Sequence, residues 1–108
     1  MRYNVCVVFG GRSVEHEVSI ITALQMTENM NKLKYNPLLV YLSKENEFLY
    51  HKNMNKISFF TDMEHVRKVS KKIIFQNSGG KYNLCYLKNK RIRKINDIDL
   101  VFLVLHGY

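Results

Sequence analysis

Residues 7–19, Val-Val-Phe-Gly-Gly-Arg-Ser-Val-Glu-His-Glu-Val-Ser, contain the side chains and spacings best suited to chemistry. Gly10 and Gly11 let the backbone turn sharply and approach a ligand closely. A helix starting just after them directs its free N–H groups, and a partial positive charge of about half a unit, at the same place. Anionic groups are favoured there. The spacing is not a dinucleotide fingerprint, because the third glycine is missing and carboxylates stand where a pyrophosphate would lie. No Gly-Lys-Ser/Thr follows at the P-loop distance. Glu15 and Glu17 are two residues apart, do not share a helix face and so do not chelate one metal together; no metal site is expected. A carboxylate at a helix start also complements the helix dipole, for about 0.3 to 1 kcal/mol, and the residue types alone leave that structural role open. Near the other end, His106 closes the apolar run of Leu103-Val104-Leu105-His106-Gly107. Its imidazole can donate to a carboxylate or phosphate oxygen, although a lone His ending a strand is often structural.

These residues need elements to position them. Residues 3–9 form a short apolar, β-branched run that stops at Gly10-Gly11, the pattern of a buried parallel strand. A helix is expected from about His16 to Asn31, and Tyr35-Asn36-Pro37 breaks it before a second buried strand over Leu38–Leu42. A right-handed βαβ unit of this kind leaves the glycine turn at the carboxyl end of strand one, where ligands bind in such sheets. Further along, Glu47–Tyr50 and Ile57–Phe60 read as short strands and Asp62–Val69 as a short helix. Ile73–Phe75 and Tyr82–Leu87 flank Ser78-Gly79-Gly80 as an antiparallel hairpin inserted into the sheet. Leu100–Leu105 reads as another central strand, running into His106.

With 108 residues the chain forms one domain, able to bury roughly 65 % of its unfolded surface. Its 46 % hydrophobic and 24 % charged residues are ordinary for a globular protein. No apolar run approaches the roughly 20 residues of a membrane span, and the start lacks the features of a signal peptide, so a cytoplasmic protein without a membrane partner is expected. Cys6 and Cys85 have no CxxC or His-rich neighbourhood and are read as reduced and structural. The net charge of +8 raises the question of a polyanion partner.

The glycine-rich string resembles the signature at the start of D-alanine–D-alanine ligases of the ATP-grasp superfamily, where a strand leads into Gly-Gly-x-Ser-x-Glu-(His or Arg)-(Glu or Asp)-Val-Ser and a helix. The Leu-His-Gly of residues 105–107 is similar to the end of the last strand of that family's amino-terminal domain. Two motifs in the right order, each ending an expected strand, are more specific than either alone. The resemblance implies an α/β, three-layer, mostly parallel, Rossmann-like pre-ATP-grasp domain over 1–108, with a β-hairpin insertion and the ATP-grasp domains absent. Glu15 would face the amino group of the first D-alanine, Val18 its methyl group, and His106, with Gly107, the substrate carboxylate and acyl phosphate. Ser13 with Gly10 and Gly11 would shape the turn, and Glu17 would be a structural support. The parent enzyme would use ATP and Mg2+, held by its other domains, to join D-alanine to D-alanine for peptidoglycan synthesis. The family pattern continues past Leu-His-Gly with Gly-Glu-Asp-Gly, which is not in this sequence, so the fragment alone is expected to be inactive.

Two other functions compete. Lys88, Lys90, Arg91, Arg93 and Lys94, with Arg67, Lys68, Lys71, Lys72, Tyr82 and Tyr86, could contact nucleic acid, although a basic tract of this kind is usually a solvated hairpin face. Alternatively the chain is an inactive remnant or dimerisation module, since the family's amino-terminal domains commonly help form homodimers; Met26 and Met30 on the first helix would suit such an interface or the core.

Overall fold

A computed structural model describes residues 2–11 and 16–104. The elements run β1 (Tyr3–Gly10), α1 (His16–Glu28), β2 (Tyr35–Leu42), β3 (Phe48–Tyr50), 3-10 turns over Lys52–Asn55 and Ile57–Thr61, α2 (Met63–Val69), β4 (Lys71–Ser78), β5 (Lys81–Lys88), β6 (Arg91–Ile98) and β7 (Leu100–Val104). The seven strands form one sheet in the order β6-β5-β4-β3-β2-β1-β7.

The expectation of a mostly parallel sheet is corrected. Only β1 pairs in parallel, with β2 on one side and β7 on the other. From β2 to β6 every pairing is antiparallel. Connection length explains the split, because a parallel pair needs a long crossover whereas a tight turn can only reverse the chain. The crossover from β1 to β2 is α1. The β4–β5 reversal uses Gly79 and Gly80 at positive φ, and the β5–β6 reversal uses Asn89 and Lys90 at φ of 52° and 65°. Two successive left-handed residues make the type of turn that matches strand twist.

Period-two alternation sends the side chains of β1 and β2 to two different cores. Val5, Val7, Phe9, Leu39 and Tyr41 face the helical side, where Ile20 and Ala23 of α1, Met54 and Phe60 of the 3-10 turns and Val66 of α2 complete one cluster. Cys6, Val8, Leu38 and Val40 face the other way and meet Ile73, Leu84 and Ile98 of β4, β5 and β6. The antiparallel meander therefore curls back over β1 and β2. Among the described residues both helices lie on one face, and the meander covers the other without a second helical layer.

An asparagine ladder closes the curl. Asn36 donates to the side-chain oxygen of Asn4 at 3.1 Å and Asn4 donates to that of Asn96 at 2.9 Å. The Asn4 amide also donates to the Asp99 carboxylate at 2.7 Å, the Asp99 amide returns a bond to the Asn4 carbonyl at 2.9 Å, and Lys81 lies 3.0 Å from the same carboxylate. Asp99 is held below the usual carboxylate range first by the Asn4 amide and then by Lys81.

Three further expectations change. The first helix ends at Glu28 rather than near Asn31, because the Asn31 side chain accepts from the Leu33 amide at 3.0 Å and its carbonyl takes the Lys34 and Tyr35 amides. Asparagine side chains compete in this way with helix continuation. Ile57–Phe60 forms a 3-10 turn instead of a strand. A strand would send Phe59 and Phe60 to opposite faces, whereas both pack on the helical cluster: Phe60 sits edge-on to Phe9 at 5.6 Å and Phe59 stacks on His51 at 4.7 Å. Finally, β7 lies at the sheet edge beside β1 rather than centrally, and Leu100, Val101, Phe102 and Leu103 are exposed. An apolar run indicates what a strand can bury, not which neighbour covers it.

Candidate functional site

The carboxyl ends of the three parallel strands converge. Gly10 is in register with Leu42 of β2, and Phe9 with Val104 of β7. Gly10 and Gly11 turn the chain away at φ of 96° and 94°, values that side-chain-bearing residues rarely adopt. The turn is also tightly packed: a Cβ on Gly10 would lie 2.6 Å from the Leu42 carbonyl and 2.6 Å from the Tyr41 ring. The Gly11 amide donates to that Leu42 carbonyl at 2.7 Å, which fixes the exit from β1 against the end of β2.

Ser19, on the first turns of α1, ties the three elements together. Its hydroxyl oxygen accepts the Gly10 amide at 2.8 Å and its O–H donates to the Val104 carbonyl. The side chain is buried, so one hydroxyl joins the ends of β1 and β7 to the start of α1. Sequence reasoning gave Ser19 no role, although it is the last residue of the glycine-rich string. The signal was available, since a serine facing back toward a glycine turn can satisfy a backbone amide that the turn frees.

Among the sequence-derived site residues, Gly10 and Gly11 form the turn as expected. Val18 is half exposed on the first turns of α1, and Glu17 is exposed beside it. The Glu17 carboxylate forms no ion pair with a described residue; with Ile20, Tyr41, Ser43, Phe60 and Arg67, Glu17 lines a cavity of about 390 Å³ next to the turn. Ser13, Glu15, His106 and Gly107 lie outside the described residues, but the segments that flank them, Gly11, α1 and Val104, all reach this one edge. Tyr41, under the turn, has its phenol pKa pushed up to about 12, first by burial and then by the charge of Glu45.

No group of three His, Cys, Asp or Glu able to hold a metal occurs among the described residues. No helix among them is long and apolar enough to cross a membrane. Cys6 and Cys85 are buried and free, and burial raises the Cys6 thiol to about 12. The basic tract is not a uniform field. Lys72 and Arg67 pair with Glu47 at 2.9 and 3.6 Å, Lys94 pairs with Asp97 at 3.1 Å, and Lys71 sits over the Tyr86 ring at 4.9 Å.

A glycine turn at the carboxyl ends of parallel strands, leading into a helix, defines an α/β domain, and open sheets place ligands at such an edge. The family profile described as D-ala D-ala ligase N-terminus matches residues 4–108, and the chain belongs to that family. It is 38 % identical over 105 residues to a D-alanine–D-alanine ligase of Thermosipho melanesiensis, covering 96 % of this chain and 28 % of the relative. A second such ligase, from Wigglesworthia glossinidia brevipalpis, is 31 % identical over 99 % of this chain and 30 % of its own length. Among solved structures, the VanG D-Ala:D-Ser ligase of Enterococcus faecalis superposes with a TM-score of 0.70 at 26 % identity, over 99 % of this chain and 30 % of that one. The D-alanine–D-alanine ligase of Coxiella burnetii shares the fold, with a TM-score of 0.75 at 20 % identity over 98 % of this chain and 29 % of that one. The chain thus spans under a third of the relatives it matches.

Proposed function

We propose that this chain is the amino-terminal, substrate-binding part of an ATP-dependent D-alanine–D-alanine ligase, and that its glycine-turn edge holds the first D-alanine. The observation that carries the proposal is the family match over residues 4–108. The convergence of Gly10, Ser19 and Val104 supports it, because the residues expected to touch substrate adjoin these positions in the sequence.

In this reading the Glu15 carboxylate accepts from the ammonium of the first D-alanine, a charge-assisted contact worth roughly 1.5 to 3 kcal/mol. Val18 lies against the methyl group, and its exposure on α1 leaves it available. His106, with the Gly107 backbone, would donate to the carboxylate, which takes the γ-phosphate of ATP with release of ADP to become the acyl phosphate; the amine of the second D-alanine then attacks that carbon, displaces inorganic phosphate and loses a proton. The contribution of these groups is positioning: they hold the reacting carboxylate and its charge in one orientation. ATP and Mg2+ are assigned to parts of the longer protein. The product is D-alanyl-D-alanine for peptidoglycan, made in the cytoplasm. A homodimer belongs to the same proposal; the exposed apolar side chains of β7 beside Met26 and Met30 support it, and sedimentation at the single-chain mass would count against it.

The test replaces the matching amino-terminal segment of the Thermosipho melanesiensis ligase with residues 4–108 and measures ADP release. The proposal expects turnover that requires D-alanine. A folded chimera with no D-alanine-dependent turnover would overturn it.

A further inference from the structure

A cavity of about 700 Å³ opens at the far end of the sheet from the glycine turn, between the amino ends of β1 and β2, the carboxyl end of α1 and the first 3-10 turn. Its volume is within the range of roughly 300 to 1,000 Å³ typical of small-molecule pockets. Leu24, Pro37 and Ile57 give it an apolar wall. Three cations, Arg2, Lys32 and Lys52, line it against a single carboxylate, Glu28.

The cations are not equivalent. Lys32 donates to the Thr27 and Glu28 carbonyls, so its charge is matched to the negative end of α1. Arg2 reaches only the Tyr35 carbonyl and the Asn36 side-chain oxygen, at 3.4 and 3.5 Å, and forms no ion pair with a described residue. The Lys52 ammonium forms no ion pair with a described carboxylate. Between them sits His51, whose Nδ1 accepts the Asn53 amide at 3.0 Å and whose ring is fixed against Phe59 at 4.7 Å. An accepting Nδ1 leaves Nε2–H as a donor.

We propose that this cavity is a second binding site, separate from the D-alanine edge, for a small organic dianion: a phosphate monoester whose ring lies on Leu24 and Ile57 and whose phosphate is held by Arg2 and Lys52. A dianion brings the charges around the cavity close to neutrality, and a ring fills a wall that inorganic phosphate would leave in water. Because Arg2 and Lys52 are exposed, binding should be screened by salt.

The experiment is an amide NMR titration of the protein with phenyl phosphate at pH 8 in low salt, with inorganic phosphate in parallel. The expected result is saturable shifts at Arg2, Asn36, His51 and Lys52, at least fivefold tighter binding of phenyl phosphate than of phosphate, and weakening in 0.5 M NaCl. The exposed pair Arg2→Gln and Lys52→Gln should weaken binding at least tenfold while amide positions elsewhere stay unchanged. Absence of binding, shifts centred on the β5–β6 turn or the glycine turn, or an affinity indifferent to the double variant would overturn the proposal. Equal affinity for the two anions would show an adventitious ion only and would overturn it too.

Discussion

Ser19→Ala tests whether one hydroxyl holds the site edge together. The substitution removes the acceptor of the Gly10 amide and the donor to the Val104 carbonyl, while taking away only one oxygen atom. A stranded buried polar group costs about 1 to 3 kcal/mol, whereas one that regains water costs less. Gly10 is buried, so its amide should incur most of that penalty; Val104 is only partly buried, so its carbonyl can recover part. The sum is about 2 to 3 kcal/mol, a substantial share of the roughly 5 to 15 kcal/mol that stabilises a domain. Urea unfolding of Ser19→Ala against the parent measures it, and amide exchange at Gly10 should accelerate locally. Thr27→Val is the control: its hydroxyl bonds only to the Leu24 carbonyl one turn back at 3.0 Å, so the loss there should stay under about 1 kcal/mol. A change below about 0.5 kcal/mol for Ser19→Ala, with unaltered exchange at Gly10, would refute the reasoning.

Gly10→Ala should be worse than Ser19→Ala, because about 1 to 3 kcal/mol of backbone strain adds to the clash of a Cβ 2.6 Å from Leu42 and Tyr41, and thermal unfolding would show it. Cys6 and Cys85 should resist a thiol reagent at pH 8 until the chain unfolds, since both are buried; rapid labelling of the native protein would contradict that burial. Cys6 and Tyr41 have folded pKa values raised to about 12, so the stability they contribute is complete below their ordinary values of 9.0 and 10.0 and is lost as pH rises toward 12; alkaline unfolding should begin in that window. Asp99 is shifted the other way, so its contribution is present above 3.8 and is lost as pH falls through its lower folded value; Asp99→Asn should flatten the acid limb of a stability-against-pH curve.

Much of the parallel half of the fold was legible because its residues signal locally. The apolar runs of β1 and of Leu38–Leu42 and the glycine pair each have a conformational cause that acts within a few residues, whereas Pro37 lies inside β2 and does not end the helix. Asp62 likewise marked α2, and its carboxylate accepts the Glu64 and His65 amides at the helix start. What sequence reasoning missed depends on distant partners. β6, with Arg91, Arg93, Lys94, Asn96 and Asp97, has the composition of a loop and becomes a strand because β5 supplies a complete ladder. Its turn has no glycine, so Asn89 and Lys90 gave no warning of left-handed residues. The curl over β1 and β2 rests on Asn4, Asn36 and Asn96, which nothing in their local sequence connects. At the site, the bond from the Gly10 amide to Ser19 is local and could have been read from the string, but the bond to Val104, from the far end of the chain, could not.

The measurement that bears most directly on the central claim is D-alanine-dependent ADP release by the chimera carrying residues 4–108, compared between Glu15→Gln and Glu17→Gln. The account predicts a loss of about ten- to a hundredfold for Glu15→Gln, in keeping with removal of a contact worth roughly 1.5 to 3 kcal/mol, and a small effect for Glu17→Gln. Undiminished turnover in Glu15→Gln, or an equal loss in both variants, would contradict it.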